Sequence, residues 1–540
     1  MRTARSRTSG ENFFDLFMAQ SSQRVEPPQN PGRFICAVFS GCTSVAEIRK
    51  THGKSPTAEN KPTVSATNPK NPTLAEDNQL LNSASNLENC GRSAVTPKDR
   101  AFSIEDYGDF WAGFAEFDDQ GWQYQSKKPS QIDAIRARLA ADLANPKYDD
   151  ADFLVIAFIH GWHHNAHDDD CNVHEFRSML KLANERYKKD RSNNPSKRKR
   201  RVIGIYVGWR GESINVQGLN LSTVFDRSNA ADRVAKGDVR GLFALIKKTQ
   251  AVVQAKYTPA KPQTMRTIVI GHSFGGLIAF HSLAPAILGD LTIAKLDPED
   301  CNTKASNTTD GGKAAANTSL PKSEQRAVND SFPNMLVLIN PAFEGTRFQS
   351  MHELNRPQGC PFPDAPPKIV VVTAENDLAT GMFFVAERKV TTILEKYPAK
   401  PEEGSDIRYL DERESNSHAI GFIDRYRTHE MCLVSEGATK YRAAAFEYKP
   451  PPKKHPSDRD VMDWRNPDPH PAVWVVRAPK EIVNGHDGFL YASKVTDDGA
   501  QPSTQAQAPY LLDWLLSLEN PSSPAVLVGA EEIKACKKFP

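Results

Sequence analysis

The stretch Thr267-Ile-Val-Ile-Gly-His-Ser273-Phe-Gly-Gly276 places the pattern Gly-x-Ser-x-Gly directly after three apolar β-branched residues. The apolar run predicts a buried strand, and the apolar segment after the last glycine predicts a helix. A side chain at Gly271 or Gly275 would collide where such a strand and helix nearly touch. The tight turn would hold the Ser273 hydroxyl above the sheet edge in a strained conformation. The stretch therefore predicts a nucleophilic serine.

Apolar runs precede and follow this stretch, and segments with helical spacing separate them. Continuous apolar strands are covered on both faces, as in parallel sheets. Alternating strands and helices predict an α/β domain with a mostly parallel central sheet, helices on both faces and polar insertions. A β-hairpin is expected between residues 107 and 124. Further strands are predicted at 153–159, 202–207, 335–339, 368–373 and 473–477, and helices at 130–143, 172–187, 238–254 and 510–518.

Chemically active side chains follow several of these predicted strands. Ligand sites in open parallel sheets lie beyond the carboxyl ends of the strands, where residues from distant parts of the chain meet. We therefore expect these strand ends to form one site. The residues at or just beyond them are His160, Gly208, Ser273, Asn340, Asp377 and His486.

A serine hydroxyl is a weak nucleophile, and it needs a nearby base that is itself oriented by an acid. Ser273, Asp377 and His486 follow one another in the chain order that this chemistry uses in α/β enzymes. Glu375 is a second candidate for the acid, because it lies in the same loop as Asp377. The sequence favours Asp377, because the loop must turn before a carboxylate can face the histidine.

The base also has more than one candidate. His486 lies beyond the last predicted strand, between Gly485 and Gly488. His418 and His429 also follow the acid in the chain, but they precede that last strand. The sequence favours His486 and leaves the other two open.

The chain resembles the α/β-hydrolase fold superfamily, and serine esterase or lipase-like proteins in particular. The resemblance covers about residues 105–520, and it rests on the Gly271–Gly275 pattern, on His160-Gly161-Trp162, on Asp377 and on His486. It implies that Ser273 is the nucleophile, Asp377 the acid and His486 the base, and it implies no cofactor and no metal.

The same resemblance implies an oxyanion hole and contacts to the substrate. The two backbone donors of the oxyanion hole would be the N–H groups of Trp162 and Phe274. Gly161, Trp209 and His272 are the expected substrate contacts.

A dense group of histidines and acids between His160 and His174 could instead serve a metal-dependent hydrolase. His163 and His167 have the i, i+4 spacing of zinc-binding helices, but no glutamate follows His163 as that zinc motif requires. A third hypothesis is a membrane-tethered protein of the same fold that binds ligands without catalysis.

The formal net charge of +2 disfavours nucleic acid as the main partner, because no basic excess is present to neutralise phosphates. A small-molecule ester or a lipid ester is the expected partner, and the sequence does not define an oligomeric state. Eight scattered cysteines are compatible with disulfides if the protein is exported.

The N-terminal segment resembles a bacterial lipoprotein signal that ends at Cys42, which would be lipidated. This predicts a membrane-anchored or exported protein of the cell envelope, with a cytoplasmic location as the alternative. The expected organisation is a leader (1–42), a disordered linker (43–102), a hydrolase domain (103–520) with insertions at about 290–330 and 397–470, and a tail (521–540).

Overall fold

The structure is a computed structural model that describes most of the chain after residue 102. The predicted leader, the lipidation site at Cys42 and the linker lie outside the described residues. The described ranges are 103–124, 129–168, 170–211, 220–258, 263–295, 332–353, 366–392, 395–396, 412–436, 441–448, 472–489 and 510–518, with residues 527 and 536.

A mixed, mostly parallel sheet of ten strands forms the centre of the described chain, in the order β1-β2-β4-β3-β5-β6-β7-β10-β8-β9. Every neighbouring pair from β2 to β8 is parallel, and the edge strands β1 and β9 pair antiparallel. The strands are β1 Ile104–Asp106, β2 Phe110–Phe117, β3 Ala151–Ile159, β4 Lys199–Trp209, β5 Met265–His272, β6 Met335–Ile339, β7 Ile369–Ala374, β8 His429–Ser435, β9 Tyr441–Glu447 and β10 Val473–Ala478.

Helices cover both faces of this sheet, as the fully apolar strands predict. The described helices are α1 Gln131–Ala144, α2 Cys171–Asn193, α3 Asn220–Lys236, α4 Val239–Ala255, α5 Phe274–Lys295, α6 Gln349–Glu353, α7 Phe384–Thr391, α8 Glu412–Ser417 and α9 Tyr510–Ser517. One apolar core joins the sheet to α1, α3, α4 and α5, and a second core on the other face joins it to α2 and α9. The predicted α/β class with a mostly parallel sheet is confirmed.

The strand of the Gly-x-Ser-x-Gly stretch, β5, lies inside the sheet between β3 and β6. Its neighbours are in register at the carboxyl end, where Ile159 pairs with Gly271 and His272 pairs with Ile339. Because β3 to β7 and β10 are parallel, the residues that follow them meet at one edge of the sheet, as predicted.

The predicted hairpin at residues 107–124 is confirmed near its turn, where the Asp118 N–H donates to the Trp122 carbonyl at 2.9 Å and the Tyr124 N–H donates to the Glu116 carbonyl at 3.0 Å. The strand Phe110–Phe117 is present, but it pairs with Ile104–Asp106 on one side and with β4 on the other. Among the described residues, the return strand is represented by one antiparallel bridge, from Phe117 to Gln123. The short antiparallel partner carries too few apolar residues to be recognised from its pattern.

Described elements reach into both segments that were predicted as insertions. The helix α5 continues to Lys295, at the start of the first of them, about residues 290–330. The segment 397–470 contains α8 and two strands, and β8 and β9 extend the sheet beyond β10. Helix α3 was also not predicted.

Disulfide bonds hold Cys171 and join Cys432 on β8 to Cys536. Among the described residues, the segment Phe274–Thr292 of α5 alone has the length and apolar composition of a membrane-spanning helix, and 61% of it is buried inside the protein. Core helices of globular domains commonly meet the same criterion.

Candidate active site

Ser273 sits in a strained turn at the end of β5. Its φ of +54° lies in the left-handed region, and its N–H donates to the carbonyl of Ile339 at 3.0 Å. A Cβ on Gly271 would lie 2.5 Å from the Gly275 carbonyl oxygen, and a Cβ on Gly275 would lie 2.2 Å from that of Ile159. Gly271 is therefore required by the close approach of β5 to the start of α5, and Gly275 by the close approach of α5 to the end of β3.

The predicted serine, histidine and acid are joined by hydrogen bonds. His486 Nε2 lies 2.9 Å from Ser273 Oγ, and His486 Nδ1 lies 3.0 Å from Asp377 Oδ2. Because a carboxylate only accepts, Nδ1 carries the proton and Nε2 can accept the proton of the serine hydroxyl. This tautomer is the one that general-base catalysis requires.

Asp377 is buried at the start of a short helical segment. Its Oδ1 accepts the N–H groups of Ala379 and Thr380 at 2.9 and 3.2 Å, and its Oδ2 accepts the Thr380 hydroxyl. Burial alone would raise the pKa of Asp377, but His486 and these donors together lower it below its ordinary value. The acid is therefore ionised at neutral pH.

The pairing of Asp377 with His486 also changes the basicity of the histidine. Burial alone would lower the pKa of His486, but the charge and hydrogen bond of Asp377, with a smaller contribution from Asp487, raise it above its ordinary value. A raised pKa makes the neutral imidazole a stronger base toward the serine proton.

The alternative acid and bases lie in other surroundings. Glu375 accepts the backbone N–H of Lys480 at 3.2 Å and does not contact His486. His418 lies within 2.9 Å of the Ser417 hydroxyl, and His429 stacks on Trp474 at 4.1 Å between ring centroids. The geometry thus brings Asp377 and His486, and not these three residues, to Ser273.

The loop after β3 lies against the serine. A Cβ on Gly161 would be 2.9 Å from Ser273 Cβ, so only glycine allows this approach. Among the described residues, neither the N–H of Trp162 nor that of Phe274 has a hydrogen-bond acceptor. These two amides are therefore available to an oxygen of a ligand, and their role as an oxyanion hole stays a prediction.

Two of the expected substrate contacts have other partners. Trp209 is 3% exposed, and its indole N–H donates to the His160 carbonyl at 2.9 Å. His272 is 1% exposed, and its Nε2 lies 2.9 Å from the His486 carbonyl. Both side chains are therefore buried and bonded within the protein, and direct contact with a substrate stays a prediction for each of them.

Among the described residues, the histidines and acids after β3, which the alternative hypothesis of a metal-dependent hydrolase used, are not grouped as metal ligands. His160 Nδ1 bonds the Gly161 carbonyl at 2.9 Å, and its Nε2 accepts the Trp209 N–H at 3.0 Å. His164 Nδ1 pairs with Asp170 at 3.1 Å, and Cys171 is held in a disulfide.

Within the described part of the chain, one group brings three metal-binding side chains within 4.8 Å of one another: His272, His486 and Asp487. Two of these already have other partners, because His486 bonds both Ser273 and Asp377, and His272 bonds the His486 carbonyl.

The sequence did not assign roles to three residues that support the triad. Asn340 follows β6 and hydrogen-bonds the loop of His486, Asn376 accepts the Gly485 N–H at 2.8 Å, and Thr380 donates to Asp377. The position of Asn340 directly after a buried apolar strand was the available signal. Its partners could not be identified, because they lie in distant parts of the chain.

Comparison with known proteins gave no match to a family model, to a curated protein or to a solved structure.

Proposed function

We propose that the protein is a serine hydrolase of the α/β-hydrolase fold that cleaves carboxylic esters through an acyl-enzyme. One observation carries this proposal: the continuous chain of hydrogen bonds from Ser273 through His486 to Asp377, with distances of 2.9 and 3.0 Å. A buried carboxylate that orients an imidazole toward a strained serine is the arrangement that activates a hydroxyl for acyl transfer.

The topology of the sheet supports the same fold. The serine follows β5, the acid follows β7 and the histidine follows β10, in the chain order Ser, Asp, His of this superfamily. The loop after β3, which supplies the second oxyanion donor in that fold, lies beside Ser273.

Acylation begins when Ser273 Oγ attacks the ester carbonyl carbon and its proton moves to His486 Nε2. The carbonyl electrons move to the oxygen, and the N–H groups of Trp162 and Phe274 would stabilise the resulting negative charge. The intermediate collapses as the bond to the alcohol oxygen breaks, and His486 gives its proton to that oxygen. The ionised Asp377 stabilises the imidazolium between these two transfers.

Deacylation repeats these steps with water. His486 accepts a proton from the water molecule as its oxygen attacks the acyl carbon. The bond to Ser273 Oγ then breaks, and the proton returns to that oxygen. The products are a carboxylic acid and an alcohol, and the enzyme returns to its starting state.

Esters with apolar acyl groups are the proposed substrates. Three large apolar side chains follow Asp377 within six residues. They are Leu378, Met382 and Phe383, which are 49%, 63% and 66% exposed. Apolar surface of this kind next to a catalytic group favours lipid-like ligands. The disulfides at Cys171 and Cys432 favour an oxidising compartment, which agrees with the proposed export and attachment through Cys42.

A panel of p-nitrophenyl esters of increasing acyl length tests this function. We expect hydrolysis that includes long chains, that is insensitive to chelators, and that falls by about 10⁴-fold or more in Ser273→Ala. Ser282→Ala is the matched control, because this serine lies in α5 and bonds only the Ala235 carbonyl at 3.0 Å.

Three results would contradict parts of the proposal. A folded wild type that hydrolyses no ester would favour the non-catalytic hypothesis. Loss of activity with chelator would favour a metal-dependent hydrolase. Cleavage of acetyl esters alone would contradict the lipid-like substrate class.

A further inference from the structure

The backbone of the loop that carries His486 is held by a buried asparagine from another strand. Asn340 follows β6, is completely buried and has a φ of +43°. Its Nδ2 donates to the carbonyls of Gly485 at 3.0 Å and His486 at 2.7 Å, while its Oδ1 accepts the N–H of Ala374 at 2.9 Å. One side chain thus joins the end of β7, which leads to the acid, to the loop of the base.

A second buried side chain contacts the same carbonyl. His272 Nε2 lies 2.9 Å from the His486 carbonyl oxygen, and because a carbonyl only accepts, this nitrogen carries the proton. Burial, with the nearby His486, lowers the pKa of His272 to about 3. His272 therefore stays neutral and acts as a fixed donor at working pH.

The loop needs such support because His486 lies eight residues beyond the end of β10 at Ala478, where strand pairing no longer holds the backbone. Its own contact is a narrow turn between Asn484 and Gly488, with Gly485 in the left-handed region at φ +65°. The direction of the imidazole depends on where this turn is placed against Ser273.

We propose that Asn340 and His272 are positioning residues for His486, which fix the catalytic base through its backbone carbonyl. This inference rests on the proposed hydrolase function. Neither side chain hydrogen-bonds Ser273 Oγ or a ring nitrogen of His486. Asn340 bonds only backbone groups, and His272 Nε2 bonds the His486 carbonyl, with the two histidine rings 4.9 Å apart between centroids. Displacement of a catalytic group by about 1 Å costs on the order of 10² in rate, which sets the size of the expected effect.

The decisive variant is Asn340→Asp, because Asp also tolerates the left-handed conformation and keeps an acceptor for Ala374, but loses both donors. We expect kcat for p-nitrophenyl butyrate to fall by about 10–100-fold, with a much smaller change in KM. Asp377, Asp487 and His272 are the titratable groups that face His486. A further carboxylate there should move the acid limb of the pH profile to higher pH.

Asn334→Asp is the matched control at the other end of β6. Asn334 accepts the Thr267 N–H at 2.7 Å, at the opposite edge of the sheet from the catalytic residues. The same substitution there should leave kcat and the pH profile within about 2-fold of the wild type, because no catalytic loop is involved.

A second pair of variants decides the question if Asn340→Asp does not fold. His272→Gln keeps an N–H donor near the position of Nε2, whereas His272→Phe removes it. We expect His272→Phe to lose about 10-fold or more in kcat, and His272→Gln to recover most of that loss at similar thermal stability.

Equal activity of His272→Gln and His272→Phe would overturn the inference, as would an Asn340→Asp protein with wild-type kcat and pH profile. Either result with an active wild type leaves the hydrolase function intact. A folded wild type without esterase activity would instead overturn the function, and the inference with it.

Discussion

Two aspartates, Asp377 and Asp487, raise the pKa of the His486 imidazole. Asp377 acts through a hydrogen bond and its charge, and Asp487 acts through its charge. Asp377 bonds His486 Nδ1 and is buried, while the Asp487 side chain is 56% exposed and acts through its charge. Since the pKa of His486 lies above its ordinary value of 6.5, the neutral base is lost as pH falls through that raised pKa. Ester hydrolysis should therefore require a pH above the ordinary histidine range.

Asp487→Asn tests this electrostatic account at the level of one side chain. Removal of a nearby negative charge makes the imidazolium less favourable, so the pKa of His486 falls. We expect the acid limb of the kcat/KM profile to move to lower pH, with little change in the plateau rate. A shift to higher pH, or no shift at all, would contradict this contribution of Asp487.

At the scale of the elements, the connection of β5 to α5 depends on glycine at positions where backbone meets backbone. A methyl group at Gly275 would lie 2.2 Å from the Ile159 carbonyl and 2.4 Å from the His160 carbonyl, whereas one at Gly289 on the same helix meets nothing within 4 Å. Backbone cannot move aside as a flexible side chain can. Alanine substitutions at Gly275 and Gly289 therefore make a matched pair, in which one variant has the backbone clash and the other does not.

Gly275→Ala should destabilise the protein by about 1–3 kcal/mol or more and remove esterase activity. Gly289→Ala should stabilise it by about 0.5–1 kcal/mol without effect on activity, since alanine favours an exposed helix interior. Chemical unfolding and the ester assay measure both effects. Equal stability of the two variants would refute the predicted backbone contact.

The elements also show what could be predicted from the sequence. Strands such as β3, with all nine residues buried, carry a continuous apolar pattern that identifies them. The strands β8 and β9 lie at a sheet edge, where polar residues are tolerated, so the segment 397–470 was predicted to be an insertion. The order Ser273, Asp377, His486 followed from parallel strands whose carboxyl ends must meet.

The contacts of Asn340 and His272 could not be predicted in the same way. Asn340 and His486 are 146 residues apart, and His272 and His486 are 214 residues apart. Such contacts depend on the path of two loops outside the sheet. The burial of Trp209 and His272 could not be predicted for the same reason. It depends on how loops pack over the strand ends, and not on the alternation of side chains along a strand.

At the scale of the whole molecule, one disulfide joins the C-terminal tail to β8, the strand next to the edge strand β9. Cys432 and Cys536 are separated by 104 residues, and their Cα atoms lie 5.6 Å apart. A cross-link over so long a loop restricts the unfolded chain strongly. The tail also contacts the sheet at Leu527, which bridges Ala445 on β9.

Cys536→Ser, made together with Cys432→Ser so that neither partner of this bond is left as a free thiol, should therefore lower the free energy of unfolding by about 2–5 kcal/mol. Esterase activity at low temperature should change little, because the bond lies at β8 rather than at the triad. Thermal unfolding with and without reductant provides the measurement. An unchanged melting temperature in the double variant would contradict the stabilising role of this bond.

The central claim is that His486 and Asp377 activate Ser273 as a nucleophile, and intact-mass analysis after treatment with a fluorophosphonate tests it most directly. We expect one covalent adduct on the wild type, located at Ser273 by peptide mapping, unaffected by chelator and absent in Ser273→Ala. The adduct should persist in Ser282→Ala. A folded wild type that takes up no label, or a label that persists in Ser273→Ala, would contradict the account.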